Sequence, residues 1–248
     1  RNAFEIILEN IDLKNNEIIL VPSFNCDAIY HPLKVKKIKY KFYKIDDSFK
    51  PEFWKYINSG NWESDTFDII DNFVTPHSFF VDLGCWAGPL SLYAAKKGAY
   101  VYAIDPDPEA YNAMIENIKL NSELRDRIKP QNIAISNTNG EAVLHARAHY
   151  GNSSTSLLFR IRDCTSNEIT KTIRLENFLE INTIKKIDLL KIDIEGGEFQ
   201  IIDQLENAKK KNKLDNIFLS IHYDHLNEFL YQNRIKFKFI SFVLMKLE

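Results

Sequence analysis

After the first third of the chain, short apolar segments alternate with stretches of helical periodicity. Residues 78–81 form an apolar segment that runs into Asp82, residues 89–97 have the pattern of a helix, and residues 99–104 form a second apolar segment that runs into Asp105. Alternation of this kind is typical of parallel strands connected by helices that cover the sheet. The pattern therefore predicts an α/β fold.

A second helix is predicted directly after the second apolar segment. Asp107 and Pro108 are residue types that favour the start of a helix. The apolar positions that follow have the spacing i, i+3, i+4, i+7 of one helix face, and they are Tyr111, Met114, Ile115 and Ile118. We expect this face to pack on the sheet.

The alternation continues in the second half of the chain. The pattern predicts a short strand at 133–135, strands or a hairpin at 141–148 and 172–175, a strand at 187–192, a helix from about 198 to 210, and a strand at 217–221 that ends at His222. The segment 187–192 is almost continuously apolar, which is typical of a central strand that is buried on both faces.

The N-terminal segment follows a different pattern. Residues 20–22 close a strand-like run, and Lys37, Lys39 and Lys41 alternate with apolar residues within the lysine-rich stretch 34–44. Period-two alternation places these lysines on one face of a strand. An edge strand that its lysines keep from aggregating is the interpretation we favour. A surface for an anionic substrate or partner is the alternative.

Length and composition limit the kinds of protein that this chain can be. A chain of 248 residues fits one large domain, or one domain with a small appendage. Its 45% hydrophobic and 27% charged residues exclude a disordered or fibrous protein. The 34 acidic and 32 basic residues give a net charge of −2, so we expect neither nucleic acid nor membrane as a partner.

The cysteines and the lengths of the apolar runs indicate a compartment. Cys26, Cys85 and Cys164 are odd in number and far apart, which fits neither a disulfide framework nor a zinc site. No apolar run approaches the roughly 18 residues needed to span a bilayer, and we expect no targeting segment. The expected location is cytoplasmic.

The strongest chemical signal is the segment 82–88, which has the pattern D-x-G-x-x-x-G between a strand and a helix. Dinucleotide-binding loops have the pattern G-x-G-x-x-G, whose glycines let a pyrophosphate approach the backbone. Trp86 blocks that approach here. The spacing instead indicates a loop around the aminoacyl and ribose parts of S-adenosylmethionine, with Gly84 and Gly88 allowing the tight turn and close backbone contact.

Asp105 supports the same ligand. It ends the second strand 21 positions after Gly84, where a carboxylate can accept hydrogen bonds from both ribose hydroxyls. The alternatives are a helix-capping or turn role for Asp82 and Asp105, and NAD as the ligand. We favour S-adenosylmethionine because the loop, the strand and the acid agree.

Together with other segments, these motifs resemble the FkbM-type S-adenosylmethionine-dependent methyltransferases. The similar segments are 60–67, 81–88, 103–108, 132–136, 153–154 and 187–198, so the resemblance covers about residues 60 to 222. The resemblance implies the Rossmann-like class I methyltransferase fold, which is a mostly parallel sheet with helices on both faces.

The resemblance and the glycine loop also assign a set of cofactor contacts. They are Asp82, Gly84, Cys85, Trp86, Gly88, Asp105, Pro106, Asn132, Ile133 and Asp193. The segment that contains Asn132 and Ile133 is similar to the family's third-strand segment near the adenine. We therefore expect S-adenosylmethionine as the cofactor, and the cofactor then carries the reactive methyl group.

The chain departs from the family in two places, at Gly197, where the family commonly has Ala or Phe, and at its C-terminal end. Only 26 residues follow His222 in the 248-residue chain, so we expect a methyltransferase domain at 60–248 that is truncated at its C-terminus. Residues 19–26 and 42–46 have a fainter resemblance to the opening of DegT-type sugar aminotransferases. Residues 1–59 are too few for a pyridoxal phosphate domain. We expect them to form a cap or a dimerisation element, the latter giving a homodimer.

The catalytic candidates lie where strands are predicted to end. Asp193 and Glu195 follow the strand at 187–192, and His222 follows its expected neighbour. Open α/β sheets bind ligands beyond the carboxyl ends of their strands, so we expect these three side chains at the reacting centre. His222 suits a general base with a carboxylate to orient it. A structural histidine is the alternative.

Two further interpretations concern the same acidic segment. Asp193, Glu195 and His222 could hold magnesium or manganese, which accept oxygen and imidazole ligands. We favour the site without a metal. Glu198 is expected to cap its helix.

The resemblance implies an O-methyltransferase whose acceptor is a hydroxyl of a small molecule, such as a sugar or a glycosylated metabolite. A nucleic-acid methyltransferase would need a basic groove with stacking aromatic residues, which the neutral charge balance disfavours. The alternative from another class is a non-catalytic cofactor-binding module with a degenerate active site.

Overall fold

The computed structural model of the chain describes residues 19–22, 40–43, 52, 62–147, 149–158 and 164–222. The strands in these segments are β1 (Ile19–Pro22), β2 (Tyr40–Tyr43), β3 (Phe79–Leu83), β4 (Tyr100–Ile104), β5 (Ile128–Gln131), β6 (Ala134–Ile135), β7 (Gly140–Arg147), β8 (Cys164–Ile173), β9 (Ile187–Ile192) and β10 (Leu214–Leu219). The helices are α1 (Ser64–Phe73), α2 (Pro89–Lys97), α3 (Pro108–Leu120), α4 (Leu175–Ile181) and α5 (Ile202–Lys210), with short 3₁₀ helices at Ser122–Leu124 and Gly197–Gln200. None of the helices in these segments is long and apolar enough to cross a membrane.

A parallel sheet with the strand order β10-β9-β3-β4-β5 forms the centre of the described fold. Each strand is parallel to its neighbours, so the predicted α/β class is confirmed. The chain adds β4 and β5 on one side of β3 and later adds β9 and β10 on the other side. The gap between β3 and β9 is therefore the topological switch point, where sheets of this kind bind ligands.

Helices pack on both faces of this sheet, because successive side chains of a strand point to opposite faces. Phe80 and Leu189 lie in one buried cluster together with side chains of α2 and α3. Their sequence neighbours Val81 and Leu190 lie in a second buried cluster with side chains of α4 and α5. Burial on both faces explains why the central strands are almost continuously apolar in sequence.

Helix α3 begins as predicted, but its buried face is rotated from the predicted one. Asp107 is the N-cap, and its Oδ1 accepts hydrogen bonds from the backbone N–H groups of Glu109 (2.9 Å) and Ala110 (3.1 Å). The buried positions are Ala110, Ala113, Met114, Asn117 and Ile118. Tyr111 and Ile115 are only partly buried. Small alanine side chains form part of the packing face, and a pattern of large apolar residues does not detect them.

The third strand of the main sheet is not the predicted one. A short strand does occur at 134–135, but it is β6 and belongs to a second sheet, whereas β5 pairs with β4. Lys129 and Pro130 interrupt the apolar run of β5, which hides it in the sequence. Proline is tolerated there because β5 lies at the edge of the described sheet.

The second sheet has the order β6-β8-β7, and the antiparallel pairing of β7 with β8 confirms the predicted hairpin. However, β8 begins at Cys164 instead of residue 172, and Leu175, predicted in the strand, begins helix α4. The buried side chains of β8 include Thr170 and Thr172. The period-two signal of the strand therefore contains few apolar residues, and the apolar pattern predicts only its end.

The last elements in the described part differ from the predictions mainly at their ends. The predicted helix at 198–210 is divided into the 3₁₀ helix Gly197–Gln200 and helix α5. Strand β10 starts three residues before the predicted position of 217 and ends at Leu219. His222 nevertheless follows the strand that pairs with β9, as expected.

In the N-terminal segment, β1 and β2 pair in parallel with Ile19 opposite Tyr40, which confirms the strand at 20–22. The predicted lysine face and the aminotransferase-like segments lie largely outside the described residues, as Lys37 and Lys39 do. The division of the chain at residues 59 and 60 therefore stays a prediction.

Candidate active site

A cavity of about 290 Å³ lies at the carboxyl ends of β3, β4 and β9, beside the topological switch point. The predicted site residues that line it are Gly84, Cys85, Trp86, Asp105, Pro106, Ile133, Asp193, Glu195 and His222. Asp82, Gly88 and Asn132 do not line it. The structure therefore brings most of the predicted cofactor and catalytic residues to one place.

Gly84 forms the turn that follows β3, and no other residue type fits there. Its φ is 72°, and a Cβ added to it would lie 1.7 Å from the backbone oxygen of Asp193. The N–H groups of Gly84 and Cys85 both donate to the backbone oxygen of Ile104, at 2.9 and 3.2 Å. The missing side chain thus lets the turn after β3 touch the residue that follows β9.

Trp86 lines the cavity and is held by hydrogen bonds from its backbone and from its indole. Its backbone is left-handed, with φ 49°. Its N–H donates to Oδ2 of Asp105 at 2.8 Å, and its indole Nε1 donates to the backbone oxygen of Gly151 at 2.9 Å. These bonds join the glycine loop to the carboxyl end of β4 and to the segment after β7.

Asp105 is 6% exposed and lines the cavity at the end of β4. Burial raises its pKa to about 7, although the N–H groups of Asp107 and Trp86 act in the opposite direction. Its Oδ1 accepts the Asp107 N–H at 2.9 Å, while Oδ2 accepts the N–H of Trp86. A carboxylate has about four acceptor positions, so it can still accept hydrogen bonds from ligand hydroxyls.

The three predicted residues that do not line the cavity support the residues that do. Asp82 is fully buried, and its Oδ2 accepts a hydrogen bond from Ser91 Oγ at 2.7 Å. Asn132 donates from Nδ2 to the backbone oxygen of Asp105 at 2.9 Å. Gly88, with φ 80°, is the N-cap of α2. Their positions suit support of the cavity more than contact with a ligand.

Lys191 lines the cavity, and the sequence analysis did not single it out. Its Nζ donates to the backbone oxygen of Gly84 at 2.9 Å and lies 3.3 Å from Asp82 Oδ1 and 3.6 Å from Asp193 Oδ2. Burial lowers its pKa, but the Asp82, Asp193 and Glu63 carboxylates outweigh burial, so the pKa is raised. A lysine inside the apolar run of β9 was the available signal, because a lysine is rarely buried without a partner.

His222 and the acidic residues after β9 come together as predicted. Nδ1 of His222 lies 2.5 Å from Oε1 of Glu198, and Nε2 lies 3.5 Å from a carboxylate oxygen of Asp193 and also of Glu195. Glu198 is 1% exposed. The expectation that Glu198 caps its helix is therefore corrected, since its side chain contacts His222 instead.

The charges around His222 favour its protonated form. Burial lowers the pKa of His222, but the hydrogen bond to Glu198 and the charges of Glu195, Glu198 and Asp193 outweigh burial and raise it above the usual 6.5. Burial raises the pKa of Glu195, while the His222 charge lowers it. In the part of the chain that the structure describes, no group of three His, Cys, Asp or Glu side chains is arranged to hold a metal ion.

The segment after β7 lines the cavity and is tied to both of its ends. Its lining residues are Asn152, Ser153, Thr155, Ser156 and Leu157. The N–H of Gly151 donates to Oδ2 of Asp107 at 2.7 Å, and Oγ of Ser156 donates to the backbone oxygen of Glu195 at 2.7 Å. The serine-rich part of the chain thus connects the residues that follow β4 with the residues that follow β9.

Cys85 lines the cavity but is not arranged as a nucleophile. It is 4% exposed, and its Sγ lies 3.3 Å from Sδ of Met114. Burial, together with the charges of Asp82 and Asp105, raises the pKa of its thiol well above the usual value. The thiolate is the reactive form of cysteine, so Cys85 serves packing and the shape of the loop.

The sequence agrees with one family over most of its length. A family model described as the methyltransferase FkbM domain matches residues 82–247, which include the glycine loop, Asp105, the acidic segment and His222. This match, together with the α/β fold and the cavity at the switch point, defines the class of protein as a Rossmann-like methyltransferase. The chain belongs to the FkbM family of S-adenosylmethionine-dependent methyltransferases.

Two curated proteins are similar over shorter parts of the chain, and a solved structure is similar over a larger part. A tRNA (guanine(37)-N(1))-methyltransferase of Ciona intestinalis is 33% identical over 78 residues, which are 32% of this chain and 16% of that protein. A ribosomal protein L11 methyltransferase of Caldanaerobacter subterraneus is 43% identical over 54 residues, which are 21% of this chain and 18% of that protein. The chain thus spans less than a fifth of the length of these curated relatives. The solved methyltransferase domain of METTL16 is 14% identical, with a TM-score of 0.41, over 70% of this chain and 56% of that one.

Proposed function

We propose that the chain transfers the methyl group of S-adenosylmethionine to a hydroxyl oxygen of a small molecule, with a sugar or a glycosylated metabolite as the acceptor. The observation that carries this proposal is the position of His222. Its Nδ1 contacts the buried Glu198, and its ring lines the cavity next to Asp193 and Glu195. A histidine held in this way can take the proton of an acceptor hydroxyl.

The residues of the cavity fit the proposed cofactor. Asp105 offers a carboxylate for the ribose hydroxyls, and Pro106 and Ile133 offer apolar surface beside it for the base. The negative charges of Asp193 and Glu195 suit the positively charged sulfonium of S-adenosylmethionine. When bound, S-adenosylmethionine supplies an activated methyl group on a sulfonium.

His222 then has a defined task at a defined atom. Because an ionised carboxylate only accepts hydrogen bonds, Glu198 holds the proton of neutral His222 on Nδ1. This leaves Nε2 as the acceptor for the hydroxyl proton. The Asp193 and Glu195 carboxylates, each 3.5 Å from Nε2, stabilise the imidazolium that forms.

The choice of a neutral, hydroxyl-rich acceptor has two supports. The carboxylates at the reacting end can accept hydrogen bonds from neighbouring hydroxyls of a sugar and would repel a phosphate or a carboxylate. The net charge of −2 gives no broad electrostatic attraction for nucleic acid.

The test is an assay of methyl transfer in vitro to a panel of neutral glycosides. The release of S-adenosylhomocysteine is the quantity measured. We expect turnover with at least one acceptor, and His222→Ala should lower kcat by about 10²–10⁴-fold with unchanged affinity for S-adenosylhomocysteine. Normal turnover by the variant would remove His222 from catalysis. Cofactor binding by the wild type without turnover on any hydroxylated compound would support a non-catalytic binding module instead.

A further inference from the structure

Glu63 lines the cavity from the segment that precedes α1, and its conformation is costly. Its φ of 43° is left-handed, which non-glycine residues adopt at an energetic cost and which often marks ligand sites. Glu63 occupies the N-cap position of α1, yet its side chain makes no capping hydrogen bond to the backbone. Its carboxylate instead accepts a hydrogen bond from the side chain of Thr66, and a carboxylate still has acceptor positions left for a ligand.

The surroundings of Glu63 have too few positive charges. Burial raises its pKa, Lys191 and the hydrogen bond from Thr66 lower it, and Asp193 and Asp82 raise it again, so the pKa lies above its usual value. Lys191 is already hydrogen-bonded to the Gly84 oxygen and paired with both aspartates. Lys191 thus faces three carboxylates, and His222, the cation on the other side of Asp193, also faces Glu195 and Glu198, so carboxylates are in excess. A cationic group from a ligand would compensate this excess.

The sheet order shows which part of the proposed cofactor reaches this place. Asp105, the proposed ribose acceptor, follows β4. Lys191 lies in β9 and Asp193 follows it. Strand β3 and the Gly84 turn lie between β4 and β9 in the sheet. A nucleoside on Asp105 therefore directs the other end of the molecule across the Gly84 turn toward Glu63. That end is an amino acid, and its ammonium has the N–H donors that a carboxylate accepts.

We propose that the carboxylate of Glu63 binds the α-ammonium of the amino-acid end of S-adenosylmethionine. This assignment rests on the proposed function, because it requires the same cofactor in the same cavity. A sulfonium has no N–H donor, so the ammonium is the better partner for Glu63. Asp193 is less suited, because its two oxygens already face Lys191 and His222.

The test compares two ligands that differ only at the amino-acid end. S-adenosylhomocysteine has the ammonium, whereas 5′-methylthioadenosine keeps the nucleoside and the thioether and lacks the amino acid. Isothermal titration calorimetry gives the affinity of the wild type and of Glu63→Gln for each ligand. We expect Glu63→Gln to weaken S-adenosylhomocysteine by about tenfold to a hundredfold and to leave methylthioadenosine within about twofold.

The exposed Asp68 of the same helix provides the matched control, because Asp68→Asn removes the same charge away from the cavity. The affinities of Asp68→Asn for S-adenosylhomocysteine and for methylthioadenosine should equal those of the wild type. Equal weakening of both ligands by Glu63→Gln would show a structural role for Glu63 and overturn the proposal, as would unchanged affinity for both. Glu63→Asp, which keeps the charge on a shorter side chain, should recover part of the loss for S-adenosylhomocysteine alone. If the wild type binds neither ligand, the proposed function falls together with this assignment.

Discussion

The imidazole Nδ1 of His222 lies 2.5 Å from Oε1 of Glu198, a side chain that is almost fully buried. The two residues come from different elements, since Glu198 belongs to the 3₁₀ helix after β9 and His222 follows β10. The contact fixes the ring in one orientation and, for neutral imidazole, keeps the proton on Nδ1.

The first prediction concerns the pH dependence of methyl transfer. The nearby carboxylates raise the pKa of His222, and only neutral imidazole accepts a proton, so kcat should rise with pH through that pKa. Glu195→Gln removes one of the charges that raise the pKa, so the rising limb should move to lower pH. The pH profile of kcat for both proteins checks this. If kcat of the variant rises at the same pH as kcat of the wild type, Nε2 of His222 does not titrate beside Glu195.

The second prediction concerns cofactor binding by Asp105. Its pKa is raised from 3.8 to about 7, mainly by burial, and ribose hydroxyls favour its ionised form. Binding should therefore release a proton near pH 6, and affinity for S-adenosylhomocysteine should weaken by about tenfold per pH unit below the raised pKa. Calorimetry in two buffers of different ionisation enthalpy measures the number of protons released on binding. Affinity that is constant between pH 5 and pH 8, the range tested, would refute the ribose role of Asp105.

The raised pKa of Asp105 also has a consequence for folding. Between its unfolded value of 3.8 and about 7, the folded chain holds a proton that the unfolded chain has lost. The contribution of Asp105 to the free energy of unfolding therefore falls as the pH rises through this window.

The third prediction concerns the contact between Gly84 and Asp193. A Cβ at Gly84 would overlap the Asp193 oxygen at 1.7 Å, so Gly84→Ala should cost at least about 3 kcal/mol in the free energy of unfolding. Gly140→Ala is the matched control, because Gly140 also has positive φ but has nothing within 4 Å of an added Cβ. The control should lose only the cost of its own positive φ of 133°, about 1–3 kcal/mol, which is less than the loss for Gly84→Ala. Equal losses in urea unfolding would mean that the close approach carries no cost.

The fourth prediction concerns the buried charge of Lys191. Lys191→Met leaves Asp82 and Asp193 without their cation, which should cost about 3–5 kcal/mol in the free energy of unfolding. Asp82→Asn in the same chain should recover part of this loss, because one unpaired charge is removed. Urea unfolding of the two single variants and the double variant measures the coupling. A loss below about 1 kcal/mol for Lys191→Met would show that the ion pairs contribute little.

The sequence was sufficient for those parts of the fold that depend on local pattern. The strand before Asp82, helix α2 and the strand at 187–192 follow from apolar runs that end at glycine or at an acid. These segments are buried on both sides, so their hydrophobic signal is strong. The glycine spacing of the turn could be read as well, because only glycine fits a left-handed turn with a close backbone contact.

The remaining features depend on contacts between distant residues. Strand β5 carries a lysine and a proline and is held by its pairing with β4, so its sequence resembles a loop. The side chain of Glu198 contacts a residue that is 24 positions away, which no local pattern shows. Lys191 and Glu63 acquire their roles from a charge cluster that forms only when β3, β9 and the segment before α1 meet.

The central claim is that the turn after β3 and the end of β4 hold S-adenosylmethionine beside His222. A crystal structure of the chain with S-adenosylhomocysteine tests it most directly. We predict the ribose hydroxyls within hydrogen-bond distance of Asp105, the thioether near the Asp193 and His222 side chains, and the amino group at Glu63. A nucleoside bound anywhere other than this cavity would contradict the claim.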